Sequence, residues 1–309
     1  MRALRVEHGE VRLVDVPRPA AAGEAVVRVT CSGVCNTDLE LARGYMGFAG
    51  IPGHEFVGVV TECADASWIG KRVVADINAG CGACADAHHC PHRTVLGILA
   101  RGGAFAETLA VPVSCLVEVP ANVSDDAAVF AEPLAAALHV LDDVRETPTR
   151  AIVLGDGKLG LLIARALVGA GVPTSLIGRH ARKLALAPGA KTRLDTDEVE
   201  PGADLVVEAT GTEAGLERAI QLVAPRGTIV LKTTVAGKLS LDLAPVVVNE
   251  VRIVGSRCGD MKRAIAALAK GEVDPTPLIE ARYPLARADE ALAHAGRRGT
   301  LKVLIDAGN

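Results

Sequence analysis

The sequence predicts an α/β protein with two domains, and three features of its 309 residues support this. Residues 1 to about 120 alternate short apolar runs with glycine and proline, which is typical of a small β-barrel or sandwich. From residue 151 onward, apolar runs of strand length alternate with helical segments, as a doubly wound parallel sheet requires. The stretch GDGKLG at 155–160 follows the first of these runs and marks a turn from strand to helix.

The glycine turn is the stretch around which the second domain is organised. The four apolar residues before it predict a buried strand, and the apolar residues after it predict a helix. Gly155 permits the tight turn, Gly157 lets the backbone approach a pyrophosphate, and Gly160 allows close packing of helix on strand. Backbone N–H groups at the helix start, where Lys158 and Leu159 lie, then face the phosphate charge. Because glycine turns are common, the flanking strand and helix carry the prediction of a dinucleotide site.

The other elements follow in chain order. Strands are predicted in MRALRV, VRLVDV, AVVRVTCSG, FVGVV, KRVVADI, AFAETLAV and SCLVEVP. Ser124, followed by two aspartates, predicts a helix N-cap, with helices across 125–145. Further strands are predicted at 151–154, 174–178, 204–209, 228–232 and 251–256, and helices at 159–169, 180–187, 213–223 and 287–295. The terminal run LKVLID predicts a strand that returns to the first domain.

Composition excludes several classes of partner. The 33 basic and 37 acidic residues give a net charge of −4 without a basic run, so neither nucleic acid nor a membrane surface is expected as a partner. The N-terminus has no apolar core of signal-peptide length, and no stretch approaches the ~20 apolar residues of a spanning helix. We therefore expect a cytoplasmic protein whose eight cysteines are thiols or metal ligands.

Residue types that bind metals occur in three short contexts. These are GVCNTDLE with Cys35, IPGHEFVG with His54 and Glu55, and FAEPLAAAL with Glu132. In this order, and followed by the glycine turn, they resemble the zinc-dependent medium-chain alcohol dehydrogenases, in the branch of sorbitol, threonine and glucose dehydrogenases. The resemblance covers essentially the whole chain. It implies an α/β protein with a GroES-like β-barrel catalytic domain at 1–122, completed by 275–309, and a Rossmann NAD(P)-binding domain at 123–274 with a doubly wound parallel sheet.

The resemblance also implies roles for individual residues. Zinc would be held by Cys35, His54 and Glu132, with Glu55 as a neighbouring group or exchangeable ligand. A catalytic zinc takes three protein ligands and leaves one position for water or substrate, where it acts as a Lewis acid. Thr37 matches a hydroxyl that takes the alcohol proton, although a helix-capping threonine is the alternative. Asp38 matches a carboxylate that orients the zinc-binding histidine.

A shortened cysteine lobe lies at 81–98, CGACADAHHCPHRTVLGI. It resembles the lobe in which this family binds a second, structural zinc through four cysteines. Only Cys81, Cys84 and Cys90 remain, so a closed site would need a fourth ligand from Asp86, His88 or His89. The alternative is a loop with three reduced thiols.

The end of the predicted strand 174–178 bears on the choice of nicotinamide. An acid there usually binds the ribose 2′-hydroxyl of NAD, but this chain has Gly178 followed by Arg179. Because a guanidinium can bind a 2′-phosphate, NADP is expected in preference to NAD, unless Arg179 only stacks on adenine. The stretches VVEATGT at 206–212, with Thr210, and VLKTT at 230–234 are expected to line the cofactor site.

The predicted function is a zinc-dependent oxidoreductase that moves hydride between NADP and a secondary alcohol or polyol and its carbonyl. Two alternatives stay open at this point. One is a zinc-independent reductase of the quinone or enoyl type on the same fold, and the other is a cofactor-binding relative without turnover. The resemblance further implies a homodimer or homotetramer, for which VVVNEVRIVG supplies an edge strand.

Overall fold

The structure is a computed structural model that describes residues 1–233 and 240–308, so residue 234 of VLKTT lies outside the described part. The chain divides into two compact units, Met1–Glu132 with Met261–Asn309, and Pro133–Asp260. The predicted domain boundaries at 122 and 274 differ from these limits and stay a prediction. Among the described residues, none of the helices combines the length and apolar character that crossing a bilayer requires.

The strands and helices are as follows. The strands are β1 (Arg2–Glu7), β2 (Glu10–Asp15), β3 (Ala25–Gly33), β4 (Glu55–Glu62), β5 (Arg72–Ala75), β6 (Asn78–Ala79), β7 (Thr94–Leu96), β8 (Ala100–Arg101), β9 (Thr108–Val111), β10 (Leu116–Glu118), β11 (Ala151–Leu154), β12 (Thr174–Gly178), β13 (Lys191–Leu194), β14 (Ala203–Glu208), β15 (Val223–Leu231), β16 (Arg252–Gly255), β17 (Ile279–Pro284) and β18 (Lys302–Asp306). The helices are α1 (Asn36–Ala42), α2 (Asp125–Ala128), α3 (Ala131–Leu138), α4 (Lys158–Gly169), α5 (Ala181–Leu184), α6 (Glu213–Leu222), α7 (Ala244–Val248), α8 (Met261–Lys270) and α9 (Ala288–Ala295).

The first unit is built on a seven-stranded sheet. Its strands follow the order β10-β5-β4-β3-β18-β17, and β9 also pairs with β3. The terminal run LKVLID forms β18, which pairs antiparallel with β3 and places Leu304 opposite Gly33. On its other edge β3 pairs antiparallel with β4, so Gly33 also lies opposite Glu55. The C-terminal strand β18 therefore joins strands from the N-terminal part of the chain in one sheet, close to the predicted metal ligands.

The second unit contains the six-stranded sheet β13-β12-β11-β14-β15-β16. All five pairings between neighbouring strands are parallel. This order is 3-2-1-4-5-6 within the unit, which is the Rossmann arrangement, and the predicted doubly wound sheet is confirmed. Every residue of β11 is buried, because helices cover both faces of a parallel sheet. The core on one face joins Ile152, Val206 and Ile229 to Leu216 and Ala219 of α6.

Some elements differ from the sequence prediction. The strand β13 was not predicted, because KTRL holds one apolar residue and lies at the sheet edge, where its side chains are exposed or half-buried. The helix α8 was also missing from the prediction. The helical region expected at 125–145 divides into α2 and α3, followed by a short 3-10 turn. The Ser124 cap is confirmed, since its side chain accepts a hydrogen bond from Ala127 N at 3.2 Å.

Candidate active site

Three candidate ligands come together in the first unit. Cys35 precedes α1, His54 precedes β4, and Glu55 is the first residue of β4. A possible ligand atom of each lies within 4.8 Å of those of the other two. His54 and Glu55 are 3% and 1% exposed, while Cys35 is half-buried. The pairing of β3 with β4 explains this proximity, because Cys35 follows β3 by two residues and Glu55 lies opposite its last residue, Gly33.

The buried side chain of Asp38 links the segment of Cys35 to the segment of His54 by hydrogen bonds. It is fully buried on α1, and its Oδ2 accepts a hydrogen bond from Cys35 N at 2.9 Å. Its Oδ1 accepts one from Gly53 N at 3.0 Å and lies 3.3 Å from His54 Nδ1. Gly53 has a φ of +98°, and a Cβ there would lie 2.6 Å from the Phe105 ring, so glycine is required next to the histidine. Burial opposes a proton on His54, yet Asp38 and then Cys35 raise the pKa of His54 well above its usual value.

Glu55 forms a buried ion pair with Lys302 of β18. Lys302 Nζ donates to Glu55 Oε2 and to Val34 O, the latter at 3.5 Å. The two paired side chains are 3% and 1% exposed. Burial opposes the charge on Lys302, but Glu55, Cys35 and Glu132 together raise the pKa of this lysine above its usual value. A Cβ on Gly33 would collide with the Glu55 carboxylate, so the glycine leaves room for this pair.

Two further predicted residues lie around this cluster. Glu132 is half-buried on α3 and is not part of the 4.8 Å group, although its charge acts on Lys302. The Thr37 hydroxyl is half-buried on α1, 3.8 Å from Cys35 Sγ. The structure thus brings Cys35, His54 and Glu55 together, with Thr37 beside the thiol and Glu132 further out.

The donor set fits a zinc ion. Zinc in proteins is bound by cysteine thiolate, histidine nitrogen and carboxylate oxygen, and the 4.8 Å group offers one of each. A carboxylate behind the zinc-bound histidine is typical of such sites, and Asp38 lies in that position. The buried Lys302 supplies positive charge close to the anionic donors.

The cysteine lobe forms a second group. The Sγ atoms of Cys81, Cys84 and Cys90 all lie within 4.8 Å of one another, and Cys81 and Cys84 are exposed. Hydrogen bonds from Ala83 N, and then from the Cys90 and Cys84 side chains, lower the pKa of Cys81 to about 6. The Cys90 and Cys81 thiols raise the pKa of Cys84 to about 11.

The suggested fourth ligands of the lobe have other partners. His88 Nε2 lies 2.7 Å from Asp76 Oδ2, and His89 Nδ1 lies 2.8 Å from Asp86 Oδ2. Each of the three side chains named as a fourth donor, Asp86, His88 and His89, is thus in a hydrogen bond outside the thiol group. A second metal in the lobe stays a prediction.

The glycine turn in the second unit has the geometry that the sequence predicted. Gly155 has a φ of +114°, and a Cβ there would lie 2.8 Å from Ala209 O. Gly160 packs against Gly155 O so closely that a Cβ would collide with it. Gly157 is exposed with open space beside it, and Lys158 and Leu159 begin α4. The turn therefore leaves backbone N–H groups accessible at the start of α4.

Two carboxylates lie where the strands of this sheet end, and the sequence had predicted no role for either of them individually. Glu208, at the end of β14, is 2% exposed, and its Oε1 accepts a hydrogen bond from Thr210 N at 2.7 Å. Asp156, inside the glycine turn, accepts hydrogen bonds at the end of β12 from Arg179 N at 2.8 Å and His180 N at 2.6 Å. An acidic residue after an apolar strand was a signal for Glu208, and GDG was one for Asp156.

Comparison with known proteins supports an enzyme of known class. Residues 21–121 match the model of the alcohol dehydrogenase GroES-like domain, and residues 157–270 match that of the zinc-binding dehydrogenases. The chain is 31% identical to D-altritol 5-dehydrogenase of Agrobacterium fabrum, and the match covers 91% of each chain. The chain belongs to the zinc-type medium-chain dehydrogenase/reductase family.

Solved structures agree with this membership. An Escherichia coli CFT073 alcohol dehydrogenase, RspB, in complex with NADH superimposes with a TM-score of 0.90 at 26% identity over 99% of both chains. A zinc-binding dehydrogenase of Sinorhizobium meliloti bound to NADP gives a TM-score of 0.88 at 27% identity over 99% of this chain and 98% of that one.

As a medium-chain dehydrogenase, the chain is an oxidoreductase, and the predicted family, fold and enzyme class are confirmed. The matched domain is a zinc-binding one, and the two neighbours hold nicotinamide cofactors, in agreement with the predicted cofactor classes. No finding favours the zinc-independent reductase or the relative without turnover. The roles of individual residues stay predictions.

Proposed function

We propose that this chain transfers hydride between NADP(H) and a secondary alcohol or polyol and its carbonyl, at a zinc held by Cys35, His54 and Glu132. The observation that carries the proposal is the group of Cys35 thiol, His54 imidazole and Glu55 carboxylate within 4.8 Å, the last two of them buried, with Asp38 behind the histidine. Glu55 is assigned as an exchangeable ligand, because Lys302 already pairs with its Oε2. Glu132 then supplies the third permanent ligand.

The chain's own residues position the substrate and move its proton. Zinc, when bound, would polarise the substrate oxygen as a Lewis acid, and the nicotinamide would carry the hydride. The Thr37 hydroxyl lies 3.8 Å from Cys35 Sγ, and we assign it to take the alcohol proton through a hydrogen bond. Asp38 holds Cys35 and the backbone before His54 in place, which fixes the direction of both ligands.

A polar substrate fits both composition and relatives. The relative from Agrobacterium fabrum is named for a sugar alcohol, D-altritol. The chain has only four Phe, two Tyr and one Trp, so an aromatic-lined substrate site is not expected. We therefore propose that the substrate is a polyol that reacts at one of its secondary hydroxyls.

NADP is proposed in preference to NAD, and the turn residues Gly155, Gly157, Lys158 and Leu159 are proposed to hold its pyrophosphate. Gly178 carries no carboxylate, and Arg179 is exposed next to it with its Nε 3.2 Å from Asp195 Oδ2. The guanidinium can turn toward a 2′-phosphate with little loss, because its present ion pair is exposed to water. Thr210 is proposed to border the same site.

The chain is further proposed to form a homodimer or homotetramer. The strand β16 is an edge strand of the parallel sheet, and α7 precedes it. Val247 and Val248 on α7 are 74% and 78% exposed. Leu243, which precedes α7, and Ile253 of β16 are exposed as well. An exposed apolar group on an edge is typical of a symmetric interface. The cytoplasmic location also stays a prediction.

The test is metal-dependent polyol oxidation. We expect protein stripped with a chelator to lose NADP reduction with a panel of polyols and to regain it with added zinc. Glu132→Ala should lose zinc affinity and activity while still binding NADPH in calorimetry. Glu290→Ala, which removes an exposed helical glutamate, is the matched control and should behave as wild type. Wild-type activity of Glu132→Ala would remove Glu132 from the site.

A further inference from the structure

Asp156 carries a carboxylate from the glycine turn to the end of the neighbouring strand β12. Its Oδ2 accepts hydrogen bonds from Arg179 N at 2.8 Å and His180 N at 2.6 Å, and lies 2.9 Å from His180 Nδ1. The side chain is only 11% exposed. A residue 23 positions earlier in the chain thus places its charge where β12 ends.

Gly178 makes room for this side chain. A Cβ on residue 178 would lie 2.7 Å from Asp156 Cγ and 2.8 Å from its Oδ2, so any other residue would displace the carboxylate. In Rossmann sheets an acid at this strand end binds the ribose 2′-hydroxyl. Residue 178 therefore has no acidic side chain of its own, and the carboxylate at this strand end comes from Asp156 in the glycine turn.

We propose that Asp156 recognises the 2′ position of the adenosine ribose and lowers the affinity for NADP(H) relative to NAD(H). The inference rests on the proposed function in that the ligand is a nicotinamide dinucleotide. A carboxylate accepts a hydrogen bond from a 2′-hydroxyl and repels a 2′-phosphate. It also engages the N–H groups of Arg179 and His180, which a phosphate would otherwise use.

Basic groups around Asp156 oppose its effect. Burial raises the pKa of Asp156, but the hydrogen bonds and charge of His180, and then the charge of Lys183, lower it below the usual value. Asp156 is therefore an anion at neutral pH. The Arg179 side chain is 58% exposed and follows the same strand. The preference between NADPH and NADH is then set by the negative charge of Asp156 against the three basic residues His180, Lys183 and Arg179. When the carboxylate is removed, the two backbone N–H donors and the basic side chains become available to a 2′-phosphate.

Binding of NADH and NADPH, measured by calorimetry, tests this inference. Asp156→Asn keeps the size of the side chain and removes its charge. We expect its ratio of NADPH affinity to NADH affinity to exceed that of wild type by about tenfold or more. The control is Asp204→Asn, because the Asp204 carboxylate also accepts two backbone N–H groups, from Thr149 and Arg150. Asp204 lies near the N-terminal end of β14, whereas Asp156 contacts the C-terminal end of the parallel strand β12. The Asp204→Asn variant should therefore keep the wild-type ratio.

Moving the carboxylate from residue 156 to residue 178 gives a second test. Gly178→Asp alone should weaken both cofactors, because the new side chain collides with Asp156. In Asp156→Gly with Gly178→Asp, the carboxylate comes from β12 instead, and we expect the ratio to return toward that of wild type. The inference is overturned if Asp156→Asn binds both cofactors with the wild-type ratio. Failure of wild type to bind either cofactor would instead contradict the proposed function.

Discussion

The buried pair of Lys302 and Glu55 allows a prediction of stability. In Lys302→Met the aliphatic stem is largely kept, and the ammonium that faces Glu55 is lost. The carboxylate then stays in a site where its side chain is 1% exposed, without its partner. The two residues are 247 positions apart, so the change acts on the contact between the chain end and β4.

The expected loss is large. Removal of one partner of a buried ion pair costs about 3–5 kcal/mol, because the remaining charge is uncompensated. Domains have a free energy of unfolding of about 5–15 kcal/mol in total. The same substitution at Lys270, whose ion pair with Glu272 has side chains 69% and 47% exposed, should cost no more than about 1 kcal/mol. A difference of about 2 kcal/mol or more is therefore expected.

Urea unfolding of zinc-free protein measures this difference. Trp68 is the one tryptophan of the chain and lies in the same unit as both lysines, so its fluorescence reports the relevant transition. Adding Glu55→Gln to Lys302→Met should restore part of the stability, because no buried charge is then left alone. If Lys302→Met were no less stable than Lys270→Met, the pair would not be buried and charged as described.

Three further predictions concern other parts of the molecule. Asp38→Asn should weaken zinc binding about 10–100-fold in competition with a chelator, and unchanged affinity would exclude Asp38 as the group that orients His54. In metal-free protein at pH 7, iodoacetamide should modify Cys81 before Cys84, because their pKa values are about 6 and about 11. The rate at Cys81 should fall as the pH drops through about 6, since the thiolate gains a proton, and peptide mass spectrometry showing Cys84 modified first would contradict this. Val248→Glu should shift the chain toward monomer in light scattering, and an unchanged mass would place the interface elsewhere.

The parallel sheet was predictable because its inner strands are apolar on both faces. The strand β11 is buried throughout, and its apolar run is read directly from the sequence. The edge strand β13 was not, since Lys191, Thr192 and Arg193 have no strand pattern of buried positions. Its place depends on pairing with β12, which is a tertiary contact.

The candidate site was predictable where the contexts of single residues are distinctive. Cys35, His54 and Glu55 were named from their flanking motifs, and the structure brings them together. The pair of Glu55 with Lys302 joins residues 247 positions apart and depends on β18 joining β3, which is a tertiary contact. The role of Asp156 was not predicted, because its contacts with the end of β12 exist only in the folded sheet.

Zinc content per chain tests the central claim most directly. It would be measured by elemental analysis of protein purified without added metal or chelator, with His54→Ala and Cys84→Ser alongside wild type. We predict about one zinc or more in wild type, the loss of one equivalent together with activity in His54→Ala, and retained activity in Cys84→Ser. A wild-type value near zero that added zinc cannot raise would contradict a metal site at Cys35, His54 and Glu132.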